Sequence, residues 1–378
     1  MHLRGAKSSF SERAMQSLAI FLPGLDGGGA ERIMLNLARG FVEQGLKVDL
    51  VLLRETGPYL SQVPSQVRIV NLGNRRMLLS IPALIRYLQT EQPVAMLCGQ
   101  EDINVVALWV KKITGVSTRV AVTVQNTLSQ QSQNTVQLKR RLAPLLARWF
   151  YPWADAIIAV SQGVAKDLAR IGLPLDSIQV IYNPVVTAEL DNKVREPLEH
   201  PWFSPNQPPV ILAVGRLDKQ KDFPTLIRAF AKVRSQKPVR LMLLGEGQER
   251  SRLEALVQKM KLTADVELPG FVQNPHAYMA RAAVCVLSSA WEGFGNVLVE
   301  AMAAGTPVVS TDCESGPAEI LANGQYGKLV AVGDFEGMAV AIAHTLDQPQ
   351  DSVVLKYRST EFSLERALAS YLQVLQLS

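Results

Sequence analysis

An α/β architecture of two doubly wound domains in tandem follows from three features of the 378-residue sequence. Short apolar runs alternate with helical stretches from end to end, as in mostly parallel sheets covered by helices on both faces. A proline-rich break near the middle divides the alternation into two series. Glycines gather where strands give way to helices, the place where such sheets bind ligands.

The first series opens with "LAIFLP", preceded by a polar, basic leader whose apolar part is too short for a signal segment. Helical stretches then mostly separate "KVDLVLL", "VRIVNL", "VAMLCG" and "TRVAVTV", and "DAIIAVS" and "IQVIYNP" add two more strands. In "ERIMLNLARGFVEQG", Ile33, Met34, Leu37, Phe41 and Val42 form one helical stripe that closes at Gly45. These elements predict a first domain over residues 1–190. The stretch "DNKVREPLEHPWFSPNQPP", with five prolines and no apolar period, reads as a linker over 191–209. A second domain, 210–378, carries "VILAVG", "VRLMLLG", "DVELPGF", "VCVLSS", "TPVVST" and "GKLVAV". The amphipathic "FSLERALASYLQVLQ" is expected to pack on that second domain. Two such domains would face one another across a cleft at their strand C-terminal ends.

Composition narrows the class. An apolar content of 48% marks an ordinary globular protein. Cys98, Cys285 and Cys313 are scattered and odd in number, so neither a disulfide framework nor a thiolate metal site is supported. No apolar run approaches the ~20 residues that span a bilayer. Residues 1–190 hold 20 Lys and Arg against 13 Asp and Glu, whereas the remainder holds 19 against 21. The basic first half reads either as a solvated surface or as one facing an anionic partner. No nucleic-acid-binding signature accompanies the charge.

The chemistry concentrates at strand ends. In "SSAWEGFGNVLVEAMAAGTPVVSTD", a strand leads into a turn of Gly293, Phe294, Gly295 and Asn296 and then a helix. Asn296 reads as that helix's N-cap and Gly305 as its terminator. Glu292 precedes the helix and Glu300 lies one turn inside it. Carboxylates flanking a helix N-terminus suit a ligand with hydroxyls at both ends and phosphate between, which describes a sugar nucleotide. In "AVGRLDKQKDF", Arg216 and Lys221 follow Gly215 at a strand end, two cations matched to a diphosphate. "LLGEGQER" imitates a dinucleotide fingerprint around Gly245, but Arg250 replaces the third glycine, so it reads as a tight turn near the ligand, with Gly245 on the donor side, rather than a nicotinamide site. Gly27, Gly28 and Gly29 let backbone approach a ligand after the first strand.

Taken in chain order, "GGAER", "GRLDKQKDF", "LLGEGQE", "PGFVQNP" and "SSAWEGFGNVLVEAMAAGTPVVSTD" resemble the large retaining glycosyltransferase family with the E-x7-E signature and the GT-B fold. The resemblance covers nearly the whole chain. It implies transfer of a sugar from a UDP- or GDP-sugar with retained configuration and no metal. It gives Arg216 and Lys221 the diphosphate, Glu300 the ribose hydroxyls and Glu292 the donor-sugar hydroxyls. The backbone from Gly293 to Val297 would line sugar and phosphates, Phe271 and Val272 would border the base, and Gly28 and Gly29 would close over the donor. No Asp-x-Asp metal clamp is present, so the cations would stabilise the leaving group. Gln125 stands where many relatives have a histidine, and His2, His200, His276 and His344 all lie off the first domain's expected ligand face.

For the acceptor, "GQEDIN" offers Glu101, Asp102 and Asn104 after a strand, beside Gln125; a solvated loop is the alternative. In "LKRRLAPLLARWFYPW", four cations mingle with Leu145, Leu146, Trp149, Phe150 and Trp153, with Pro144 interrupting the helix. The segment suits either an anionic membrane surface or an ordinary core-facing helix. The expected enzyme is cytoplasmic, peripheral on the inner face of the cell membrane, and acts on a lipid-linked or polysaccharide acceptor. The alternatives are a small soluble acceptor and a sugar-nucleotide-binding protein without turnover.

Overall fold

The computed structural model describes residues 16–73 and 76–377. The basic leader up to residue 15 lies outside them. The chain divides into two compact units, one running to Pro184 and resuming at Leu364, the other Val185–Ser363.

The first unit is built on seven parallel strands in the order β3-β2-β1-β4-β5-β6-β7. They are β1 Ser17–Leu22, β2 Lys47–Leu52, β3 Arg68–Asn71, β4 Ala95–Cys98, β5 Arg119–Val124, β6 Ala156–Ala159 and β7 Ile178–Val180. The second unit carries six parallel strands in the order β10-β9-β8-β11-β12-β13. These are β8 Val210–Val214, β9 Arg240–Leu244, β10 Val266–Gly270, β11 Val284–Leu287, β12 Val308–Thr311 and β13 Lys328–Val330. Each strand falls on one of the apolar runs read from the sequence. Central parallel strands are covered on both faces, so they need continuous rather than alternating apolar residues. Ile20 and Phe21 in β1, and Leu212 and Ala213 in β8, are accordingly inaccessible to solvent. In each sheet the strand order reverses once, between β1 and β4 and between β8 and β11, and the crevice at such a point receives ligands.

The expected boundaries need two corrections. The stretch 191–209 is no free linker. It contains the end of the helix Ala188–Arg195 and the single turn Pro201–Phe203, and it belongs to the second unit. Its prolines are compatible with that because its aromatic side chains are packed: His200 and Phe203 both meet Tyr278 edge-on, at 6.3 and 5.8 Å. Asn274 donates to the Lys193 carbonyl at 2.8 Å, pinning the helix's last turn.

The helix Leu364–Leu375 packs on the first unit, not the second. Tyr371 meets Phe41 edge-on at 6.5 Å, Arg119 donates to the Val374 carbonyl at 2.8 Å, and Leu368 covers Gly40. A β-carbon at Gly40 would lie 2.4 Å from the Leu368 Cδ1, so glycine there lets the two helices touch. The chain's two crossings run side by side, with the N–H groups of Val185 and Val186 both donating to the Phe362 carbonyl at 3.0 and 3.1 Å.

Candidate functional site

In the second unit the reversal between β8 and β11 is filled by two loops. One leaves β8 at Gly215 and reaches the helix Phe223–Arg234; the other leaves β11 at Ser288 and reaches the helix Asn296–Ala304. They are stitched together. Gln220 Nε2 donates to the Trp291 carbonyl at 2.9 Å, Ala290 N–H returns to the Gln220 carbonyl at 2.8 Å, and Ser288 Oγ donates to the Lys221 carbonyl at 2.6 Å.

This stitching brings together a cation and a carboxylate that the sequence assigned to different parts of one ligand. The Lys221 ammonium forms an ion pair with Glu292, and the Ser289 hydroxyl donates to the same carboxylate oxygen at 2.6 Å. Both charged side chains are largely buried, and the pair offsets part of each one's desolvation. Gly215 makes room for it, since a β-carbon there would crowd the Lys221 stem at 3.1 Å. Arg216 stands apart, two-thirds exposed, 3.5 Å from Asp218, and is the cation of the two that is open to an anion.

Across the turn, Gly293 and Phe294 are buried, and Gly295 rather than Asn296 is the helix N-cap. Gly295 takes φ 101°, a left-handed geometry that disfavours asparagine less than most residues but suits glycine best. Asn296 therefore begins the helix proper. Gly316 backs the turn so closely that a β-carbon would fall 1.7 Å from the Phe294 carbonyl oxygen. Gly305 ends the helix at φ 85°, as expected. Val297 and Glu300 lie in its first two turns and are buried.

Glu300 has a neighbour that the sequence did not reveal. His276, 4% exposed, sits in the short helix Pro275–Met279, with its Nε2 3.7 Å from Glu300 Oε1. The "PGFVQNP" motif supplies it: Asn274 caps the helix by accepting from the N–H of His276 at 3.1 Å. Only tertiary packing could show that this turn meets the helix bearing Glu300. Beneath the two carboxylates lie two thiols. Burial, then the Glu300 charge, pushes Cys285 up to about 12, and burial, then the Glu292 charge, pushes Cys313 up to about 12.

On the far side of β8, Gly245 ends β9 at φ 141°, and a β-carbon would lie 2.0 Å from the Gly215 carbonyl oxygen. The glycine therefore serves the tight approach of two strand ends, in keeping with a turn. Phe271, 47% exposed, and Val272, half-buried, follow the end of the edge strand β10.

The first unit presents a second set at its own reversal. Gly28 is the N-cap of the helix Gly29–Glu43, and its N–H donates to Glu31 Oε2 at 2.7 Å. Gln100, after β4, donates to Glu31 Oε1 at 3.3 Å, closing the gap between the β1 and β4 turns. Burial, the largest influence, holds the Glu31 carboxyl above the usual carboxylate range, against the lowering effect of the Gly28 N–H. Glu31 was not among the residues singled out from the sequence. Its signal there is its place three residues after Gly28, the spacing of a capping box.

Glu101 and Asp102 open the helix Glu101–Thr114 rather than lying in a loop. Burial raises the Glu101 carboxyl, and Asp102 accepts from Lys139 at 2.8 Å. Asn104 is fully buried, its amide donating to the Thr123 carbonyl at 2.9 Å and the Tyr151 hydroxyl at 3.1 Å. It fastens helix to sheet. Gln125 accepts from Asn183 at 3.3 Å, and its buried Nε2 has no hydrogen-bond partner.

The Glycosyl transferases group 1 family matches residues 194–362, and Glycosyltransferase Family 4 matches residues 27–189. Among curated relatives, the N-acetylgalactosamine-N,N'-diacetylbacillosaminyl-diphospho-undecaprenol 4-alpha-N-acetylgalactosaminyltransferase of Campylobacter jejuni is 30% identical over 339 residues, 86% of this chain and 88% of that protein. The amylovoran biosynthesis glycosyltransferase of Erwinia amylovora is 26% identical over 314 residues, 82% of this chain and 85% of its own. Among solved structures, the HepE protein of Anabaena in complex with UDP-glucose superposes with a TM-score of 0.78 at 20% identity, covering 95% of this chain and 99% of that one.

Proposed function

Because the chain belongs to the Glycosyl transferases group 1 family and has the GT-B fold, we propose that it moves a sugar from a nucleotide-sugar donor to a lipid-linked or polysaccharide acceptor, with retained configuration and without a metal. The observation that carries the donor half is the pair of buried carboxylates, Glu292 and Glu300, at either end of the Gly293–Asn296 turn. The helix N-terminus between them turns the positive end of its dipole toward phosphate. Lys221 is held at this turn by Glu292, and Arg216 lies exposed on the same loop as Lys221. In this reading Glu300 takes the ribose, Glu292 the donor sugar, and Phe271 and Val272 the base.

The reaction breaks the bond between the anomeric carbon and the diphosphate oxygen and forms one from that carbon to the acceptor oxygen on the same face. Negative charge grows on the leaving diphosphate, where Arg216 and the helix N-terminus would stabilise it, by about 3 kcal/mol for one well-placed donor. The departing oxygen takes the acceptor's proton, so no side-chain base is required and Gln125 is tolerated. Lys221 reaches the reaction through Glu292, holding that carboxylate in place where the sugar ring gains positive charge.

The acceptor class is supported by the relatives' names, one specifying a diphospho-undecaprenol acceptor and another the synthesis of amylovoran. No described helix is long and apolar enough to cross a membrane. In this proposal the lipid-linked acceptor is met at the membrane surface, on the cytoplasmic side. A thermal-shift panel of UDP-, GDP- and ADP-sugars tests the donor half. The right donor at 100 times its Kd should stabilise the protein by about 2.7 kcal/mol. Silence across the panel would sink the reading, and turnover that dies in EDTA and returns with Mg²⁺ would overturn its metal-free part.

A further inference from the structure

The helix Leu138–Phe150 turns its apolar stripe outward. Ala147 is its one buried residue. Leu138, Leu142, Leu145 and Trp149 recur at the helical period and are exposed at 69, 41, 43 and 60%. Trp153 prolongs the stripe just past the helix end, edge-on to Phe150 at 4.9 Å. Pro144 does not break the helix as its sequence suggests: the bond it forfeits falls at Arg140, an exposed residue whose carbonyl water can serve.

The neighbouring helix Glu101–Thr114 extends this face. It is tied on by the Asp102–Lys139 ion pair and by Lys112 over the Trp153 ring at 5.9 Å, and it adds exposed Trp109 and Ile113. An apolar patch of this kind with a polar rim marks an interaction site. Charge selects the partner. Between Ile103 and Ala154 there is no Asp or Glu, while seven residues are Lys or Arg, of which Lys139 pairs with Asp102 and Lys111 with Asp155 just outside that span. A second copy of the chain would set two basic faces against each other, and like charges across an interface repel.

We propose that this helix pair is a membrane-docking face for anionic lipid, with Leu142, Leu145, Trp149 and Trp153 at the acyl boundary and Lys112, Arg140 and Arg141 on lipid phosphate. The Asp102–Lys139 pair holds the start of the outer helix beside the first turn of the helix Glu101–Thr114, which follows the C-terminal end of the central strand β4. A lipid-anchored substrate therefore meets the first unit where its acceptor-side residues lie. This deepens the acceptor half of the proposed function, on which it rests, and is independent of the donor half.

Flotation of the full chain with phosphatidylcholine vesicles, with and without phosphatidylglycerol, tests it. The chain should float with the anionic vesicles only, and less as salt is raised. Joint Leu145→Glu and Trp149→Glu should cut the bound fraction about tenfold, and so should joint Arg140→Glu and Arg141→Glu. Titration with a nucleoside diphosphate serves as the independent control, because both variants should keep wild-type affinity. Loss of nucleotide binding in the wild-type chain with normal flotation would remove the donor reading and support the docking face. A wild-type chain that stays at the bottom, a Leu145→Glu and Trp149→Glu variant that floats normally, or a dimer dissolved by Trp149→Glu would each overturn the docking face.

Discussion

Lys221 and Glu292, one on each loop of the β8–β11 reversal, are partners in a largely buried ion pair that Ser289 completes from the side. Removing either partner leaves a charge with little water to receive it, at a cost of about 3–5 kcal/mol. Lys221→Met and Glu292→Gln should each destabilise strongly. The double variant should fall short of their sum by about 0.5–3 kcal/mol, read from urea unfolding. Strict additivity would mean the pair does not act as a unit.

Arg216 predicts the opposite balance. It is exposed and only loosely held by Asp218, so Arg216→Ala should leave the melting curve within about 0.5 kcal/mol of wild type. Its loss should appear in ligand binding instead, as about 1.5–3 kcal/mol of affinity for a nucleoside diphosphate. Calorimetric titration beside a melting curve separates the two, and unchanged affinity would take Arg216 out of the site.

The two carboxylates should fail differently. If Glu300 holds the ribose as proposed, Glu300→Gln should weaken binding of the bare nucleoside diphosphate by about 1.5–3 kcal/mol. Glu292→Gln should leave that affinity nearly unchanged and depress kcat, since the sugar ring carries positive charge only in the transition state. Equal losses of nucleotide affinity would refute the two-ended grip.

Gly245 and Gly333 offer a stability contrast within the second unit. Both have positive φ, 141° and 79°, but a β-carbon at Gly245 would strike the Gly215 carbonyl while Gly333 has open space. Gly333→Ala should cost about 1–2 kcal/mol from backbone strain alone. Gly245→Ala should cost clearly more and lower nucleotide affinity as well, because it displaces the β8 loop. Matched chemical denaturation curves for the two variants would contradict the close approach.

Glu101 gives a pH signature. Its carboxyl is raised by burial, so the folded chain holds the proton more tightly than the unfolded chain does. Its contribution to stability is therefore largest below the ordinary carboxylate range, falls as pH rises through the folded value, and stays lost above it. Glu101→Gln should raise Tm relative to wild type at neutral pH and above. The gain should shrink to nothing in acid. A pH-independent difference would mean the side chain is well solvated.

The strands were legible because burial on both faces writes itself into continuous apolar runs, as at "LAIFLP" and "VILAVG". The glycines were legible at Gly215 and Gly305, where a strand or helix ends. What escaped depends on contacts between distant segments. Composition marked 191–209 as a linker because proline breaks periodicity, yet His200 and Phe203 pack on Tyr278. Periodicity found the final helix and could not say which sheet's helices it joins. The pairing of Lys221 with Glu292 joins two separate loops and that of His276 with Glu300 two separate helices, and residue spacing carries no record of either.

The side-by-side crossings at Val185 and Phe362 bear on the order in which the protein is made. During synthesis the segment Val185–Ser363 emerges whole, with its sheet and both switch-point loops, and can fold as a unit. The seven-stranded sheet is translated earlier but must wait for the helix Leu364–Leu375, which fills the groove over Phe41 and Gly40. The unit begun first is finished last. A nonsense codon after Ser363 would thus leave the unit Val185–Ser363 whole and strike the half that lies hundreds of residues upstream.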